Sequence, residues 1–129
     1  MSYGPTAREH FRHPRNVGTL DHPTAVGTEG TPGKGNYMTI HVRVDRGRIA
    51  AIRYQTYGCA GAIASGSVLT EMAKGETIQE AARITAEQLI ATLGGLPLGK
   101  THCAGLAVSA LRKAVKAVRQ PAASGPPQA

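Results

Sequence analysis

Aromatic side chains are nearly missing from this chain: 129 residues include no tryptophan, one phenylalanine and four tyrosines. A core of stacked rings is therefore excluded. Hydrophobic residues still make up 41% of the sequence and 16 glycines accompany them, so the interior has to be built from small and branched side chains with backbones in close approach. Cysteine is equally scarce. Two thiols, Cys59 and Cys103, are too few for the disulfide frameworks that hold small secreted domains together, and in a reducing compartment they read as buried thiols, ligands or nucleophiles. No run approaches the roughly 18 apolar residues of a membrane-spanning helix, and the opening MSYGPTAREHFRHPRN lacks the apolar stretch of a secretory signal. The expectation is a soluble, cytoplasmic protein that makes no membrane contact. Acidic residues are also few: eight Asp and Glu against fifteen Lys and Arg leave a net charge of +7. That balance favours encounters with acidic proteins or nucleic acid. Helix-turn-helix spacing, an RNP aromatic pattern and zinc-finger signatures are all absent, which argues against a basic nucleic-acid-binding protein.

The length leaves room for one domain, expected over residues 1–120, with the Pro- and Gly-rich segment 121–129 as a disordered tail. Thr6–His13 places Ala7, His10 and Phe11 at helical spacing, and Pro14 stops the run. Prolines and glycines then crowd the chain to Gly35, predicting loops with one strand near Ala25–Thr28. From Met38 to Asp45 apolar and polar residues alternate strictly, the pattern of a half-buried strand. Asp45-Arg46-Gly47 offers a turn, and Arg48–Tyr57 alternates again, so an antiparallel hairpin is the simplest pairing. Ala60–Ala73 reads as a helix closed by Lys74-Gly75. Thr77 with Glu80 suggests a capping box opening a short helix, and Thr85 opens another that runs to Leu93. In the last element Ala104, Val108, Leu111, Val115 and Val118 recur at helical intervals, with Arg112, Lys116 and Arg119 on the opposite face.

Both cysteines therefore fall at predicted helix starts, Cys59 where a strand passes into a helix and Cys103 at the head of the last helix. Unpaired backbone N–H groups and the positive end of the helix dipole favour a thiolate there. His102 adds an imidazole beside Cys103, able to ligate a metal, accept the thiol proton or simply face solvent. The cysteines stand 44 positions apart, so any shared site has to be assembled by the fold.

Several local strings occur together and in order: His13-Pro14-Arg15-Asn16-Val17-Gly18, Tyr57-Gly58-Cys59 followed by Ala62-Ile63-Ala64-Ser65, and Leu96-Pro97 with Lys100 and His102-Cys103. Taken together, they make the chain resemble the U-type iron–sulfur cluster scaffold family, which comprises IscU, SufU and the amino-terminal domain of NifU. The likeness runs from about Ala7 to Arg119, and Gly94-Gly95-Leu96-Pro97 with Lys100 and His102-Cys103 lies nearest the NifU-type branch. It implies a compact α+β fold with an amino-terminal helix, a small three-stranded antiparallel sheet and helices packed on one side. It also implies a scaffold rather than an enzyme. Such proteins accept sulfur as a persulfide from a cysteine desulfurase, combine it with iron, hold a transient [2Fe–2S] cluster and pass it to apo iron–sulfur proteins; some bind zinc at the same place. By match, Cys59 and Cys103 are two of the family's three cysteine ligands, both are candidates for the persulfide acceptor, and His102 is the adjacent ligand or proton shuttle.

One loop departs from the family pattern. Where the family carries G-x-P-x-C-G-D, this chain has Gly30-Thr31-Pro32-Gly33-Lys34-Gly35-Asn36, so Lys34 replaces a cysteine and Asn36 an aspartate. A lysine ammonium has no lone pair for iron, and a neutral carboxamide is a poor substitute for a carboxylate. Each iron of a [2Fe–2S] cluster needs two ligands beyond its bridging sulfides, while Cys59, Cys103 and His102 offer three donors in all. Four readings follow: a scaffold completed by a partner, a second subunit or a small thiol; a persulfide carrier in which Lys34 offsets the charge and favours the Cys59 thiolate; a zinc site of two Cys, one His and water; and a fold kept only as a binding module. The first ranks ahead of the last because both cysteines and His102 keep their matched positions, which loss of the site would not obviously spare. Leu96-Pro97-Leu98-Gly99-Lys100 lacks the paired prolines of the family's Leu-Pro-Pro-Val-Lys string, which argues against docking of an Hsp70-type chaperone.

Overall fold

A computed structural model describes residues 3–124. Helix α1 (Pro5–Arg12) is followed by strands β1 (Ala25–Gly30), β2 (Tyr37–Asp45) and β3 (Arg48–Tyr57), then helices α2 (Ala60–Ala73), α3 (Ile78–Ala82), α4 (Ala86–Leu93) and α5 (His102–Ser124). The strands form one antiparallel sheet in the order β1-β2-β3, and the helices pack on one side of it, as expected. The expected boundary at residue 120 falls within the last turns of α5, and residues 125–129 of the expected tail lie outside the described residues. Among the described residues no helix is long and apolar enough to cross a membrane.

Local chemistry accounts for most of the boundaries. Arg46 and Gly47 both take positive φ, the two-residue turn whose twist matches antiparallel strands, and pair Asp45 with Arg48 across the hairpin. Met38, Ile40 and Val42 from β2 are fully buried beside Ile52 and Tyr54 from β3, so the alternation read in the sequence is the pleat of a sheet covered on one face. Both short helices begin with reciprocal capping boxes, Thr77 with Glu80 and Thr85 with Gln88.

The lack of large rings has a direct structural counterpart. Helix α5 lies across β1 and β2 through Ala104, Ala107, Ala110, Leu111 and Ala114, all fully buried. A Cβ at Gly27 of β1 would run into the Ala110 carbonyl and the Ala114 backbone, so the strand and helix touch main chain to main chain. Tyr54 is the one ring in the fully buried core; its hydroxyl donates to the Ile63 carbonyl at 2.7 Å and pins β3 against α2.

The His13–Gly18 string, read from sequence mainly as turn chemistry, ties three elements together. The Arg15 amide donates to Ser67 Oγ at 2.9 Å, Asn16 Nδ2 donates to Thr70 Oγ1 at 3.0 Å, and the backbone of Asn16 and Gly18 pairs with Tyr54 of β3. Asn16 has φ +61, a conformation that Asn tolerates better than most residues. His10 of α1 completes the knot. It is buried, with Nδ1 2.7 Å from Ser67 Oγ and Nε2 3.7 Å from a Glu71 oxygen, and Arg15 and Glu9 stand nearby.

Two predictions follow from this packing. Gly27→Ala loses about 1–3 kcal/mol of unfolding free energy by overpacking, whereas Gly105→Ala, on α5 with nothing within 4 Å of its new methyl, is neutral or stabilising; denaturant titration of both compares them. Burial, and then the Arg15 charge, hold the His10 imidazole below its ordinary 6.5. A depressed histidine is protonated more readily in the unfolded chain, so folding stability is full above that value and falls as pH drops below it. Thermal unfolding followed across this range shows the fall, and His10→Asn flattens it.

Candidate cluster site

Three segments converge at one end of the sheet. Strand β3 ends at Tyr57, and Gly58 leads to Cys59, which caps the start of α2 in an extended conformation (φ −85°, ψ −178°). The loop from Thr31 to Asn36 joins β1 to β2 at the same end, because Gly30, Tyr37 and Tyr57 lie side by side in the sheet. The turn from Pro97 to Thr101 feeds into α5, whose second residue is Cys103. Packing of α5 across the sheet and against α2 thus sets two helix starts beside each other.

The two sulfurs meet there, with Cys59 Sγ 3.5 Å from Cys103 Sγ. A disulfide requires about 2.0 Å, so both are free thiols. Two thiolates on one tetrahedral ion with metal–sulfur bonds of about 2.3 Å stand about 3.7 Å apart, so the two sulfurs, in hydrogen-bond contact with each other, are spaced closely enough to share one ion. Cys103 is buried and Cys59 half-buried. Gly61 makes the approach feasible, because a Cβ there would lie 3.1 Å from the Cys103 sulfur and 3.3 Å from the Tyr3 hydroxyl. His102 is exposed, and its Nε2 lies 3.7 Å from Cys103 Sγ. Among the described residues no three His, Cys, Asp or Glu side chains stand grouped so that they could hold a metal ion.

The charges around the pair are cationic. Burial would push the Cys59 thiol up, but the amide of Ala62, the Cys103 thiol, the amide of Gly61 and the Lys100 ammonium together bring it down to about 7. Cys103 moves the other way: burial, and then the neighbouring Cys59 sulfur, push it up to about 12. The two thiols thus differ: Cys59 loses its proton far more readily than Cys103. The amide contributions are those of a helix amino terminus, as the sequence position of Cys59 suggested.

The altered loop behaves differently from one expectation. Lys34 and Asn36 are both exposed; the Lys34 amide closes a turn onto the Thr31 carbonyl at 3.0 Å, and the Asn36 carboxamide oxygen lies 3.7 Å from where a Cβ on Gly58 would stand. The ammonium acting on Cys59 is that of Lys100, not Lys34. Lys34 is exposed on its loop, whereas Lys100 is half-buried at the head of α5. An open groove of about 380 Å³ runs beside the loop, walled by Gly33, Gly35, Tyr37, Thr56 and Tyr57. A larger hollow of about 460 Å³ lies elsewhere, against Met72, Ile84 and Gln88; neither hollow has a cysteine or histidine in its wall.

Tyr3 was not legible as a site residue. Its hydroxyl faces both sulfurs, and burial, followed by the charge of Cys59, pushes its phenol up. The sequence signal for it is weak, since nothing in a single tyrosine ahead of Pro5 announces a partner 56 positions away.

Comparison with known proteins places the chain in a family and a fold. The NifU-like N-terminal domain family matches residues 2–123. The iron–sulfur cluster assembly scaffold protein IscU 1 of Archaeoglobus fulgidus is 50% identical over 113 residues, covering 88% of this chain and 74% of that protein. The scaffold protein IscU of Aquifex aeolicus is 42% identical over 118 residues, covering 90% and 75%. In structure, the N-terminal NifU-like protein of Brucella abortus superposes with a TM-score of 0.70 at 19% identity, covering 91% of this chain and 94% of that one, which speaks to the fold alone. From residue 2 to residue 123, this chain belongs to the NifU-like N-terminal domain family.

Proposed function

We propose that the chain is a cytoplasmic scaffold for iron–sulfur cluster assembly, not an enzyme, and that Cys59 and Cys103 together hold one iron of a transient [2Fe–2S] cluster. The sulfur spacing of 3.5 Å carries this reading. His102, next to Cys103, is the third donor and binds the second iron after rotating inward. The segments that meet at the site contain no Asp or Glu and no further Cys, so the fourth donor comes from outside the chain, from a second copy, a partner protein or a small thiol.

Sulfur arrives on this reading as a persulfide from a cysteine desulfurase, and Cys59 is the acceptor, because it is the more accessible thiol and the one more readily deprotonated. Recipients are apo iron–sulfur proteins. The basic side chains Arg12, Arg112 and Lys116 are exposed and suit acidic partners. Zinc through Cys59, Cys103, His102 and water uses the same three donors, but the family relationship favours iron–sulfur cargo.

Anaerobic reconstitution with ferrous iron and sulfide, read by metal analysis and visible absorption, tests the assignment. The parent chain takes up iron and acid-labile sulfide, and Cys59→Ser and Cys103→Ser each lose it. Uptake by either cysteine variant equal to that of the parent overturns it.

A further inference from the structure

The two thiols of this chain are its entire cysteine complement, and the fold sets them 3.5 Å apart. A sulfane sulfur carried on one of them is therefore within reach of the other. We propose that Cys59 and Cys103 act as a dithiol reductant, with Cys59 accepting a sulfane sulfur from a persulfide donor and Cys103 resolving it to release inorganic sulfide. The inference rests on the sulfur-acceptor part of the proposed function.

The chemistry balances in two steps. The Cys59 thiolate attacks the outer sulfur of a donor persulfide, R–S–SH; a new S–S bond forms on Cys59, the donor S–S bond breaks, and the donor leaves as the thiol R–SH. Cys103 then attacks the inner sulfur of the Cys59 persulfide. The Cys59–Cys103 disulfide forms, the bond to the outer sulfur breaks, and that sulfur leaves as HS⁻, carrying the proton that Cys103 gives up. The sulfane sulfur gains two electrons and the two cysteine sulfurs lose one each, so the release itself needs no external reductant. Returning the pair to thiols consumes an external dithiol.

The site supports each step. Cys59 sits at the Gly58 joint, half-buried and reachable by a donor, whereas Cys103 is buried behind it and reaches Cys59 more readily than it reaches a second protein. Closing the sulfur gap from 3.5 Å to the roughly 2.0 Å of a disulfide takes a side-chain rotation at a joint that glycine already loosens. Lys100 stands by to balance the anionic persulfide. With the loop thiol replaced by Lys34, the only resolving sulfur within the chain is Cys103.

The test uses the reduced full chain under anaerobic, iron-free conditions with cysteine persulfide as donor, followed by sulfide assay and intact-mass measurement without reductant. The parent is expected to release one sulfide per chain and to lose the mass of two hydrogens as a single chain, at a rate independent of protein concentration. Cys103→Ser keeps the added sulfur on Cys59 and releases no sulfide, and Cys59→Ser takes up little. Release by Cys103→Ser at the parent rate, or a parent disulfide linking two chains, overturns the proposal. Reconstitution from iron and inorganic sulfide bypasses the persulfide, so the scaffold reading survives or fails separately.

Discussion

The close contact of α5 with β1 is the constraint on which the rest of the molecule depends. Small residues make it: Gly27 admits the α5 backbone, and a row of buried alanines keeps the helix low on the sheet. With α5 seated there, and α2 seated on β3, the two helix starts converge and their cysteine sulfurs come within 3.5 Å. A chain richer in large rings would hold these layers farther apart and separate the sulfurs. The scarcity of aromatics is therefore part of how the site is built.

The pocket is chemically uneven. One sulfur is half-buried at a helix cap and favours the thiolate, and its neighbour is buried and keeps its proton. Lys100 sits close and no carboxylate lies in the converging segments. Such a site attracts anionic sulfur and soft metal ions together, which is what assembly from separate iron and sulfur requires. Lys34 and Asn36 place no anionic donor on the loop, which is why the proposed cluster draws its fourth ligand from outside the chain.

Much of the fold was legible because its signals are local. The alternation over Met38–Asp45 has one reading as a half-buried strand, Thr77 and Glu80 announce a helix start, and the apolar stripe on the last helix gives its buried face. The features that escaped depend on distant parts of the chain. Tyr3 reaches the sulfurs only because α1 packs on α2, and Lys100 acts on Cys59 only because α5 begins where it does. Lys34 drew attention through its place in a motif, yet motif position carries no information on which way a glycine-flanked side chain turns. His10 and Arg15 likewise read as an ordinary helix face and a turn, and become a buried knot only once Ser67 is brought to them.

The central claim is that both sulfurs bind the same metal ion. X-ray absorption at the iron edge, on the chain loaded anaerobically with one equivalent of ferrous iron, measures this directly. The account predicts two sulfur scatterers per iron at about 2.3 Å, falling to one in Cys103→Ser. A single sulfur per iron in the parent, or a shell of nitrogen and oxygen alone, would contradict it.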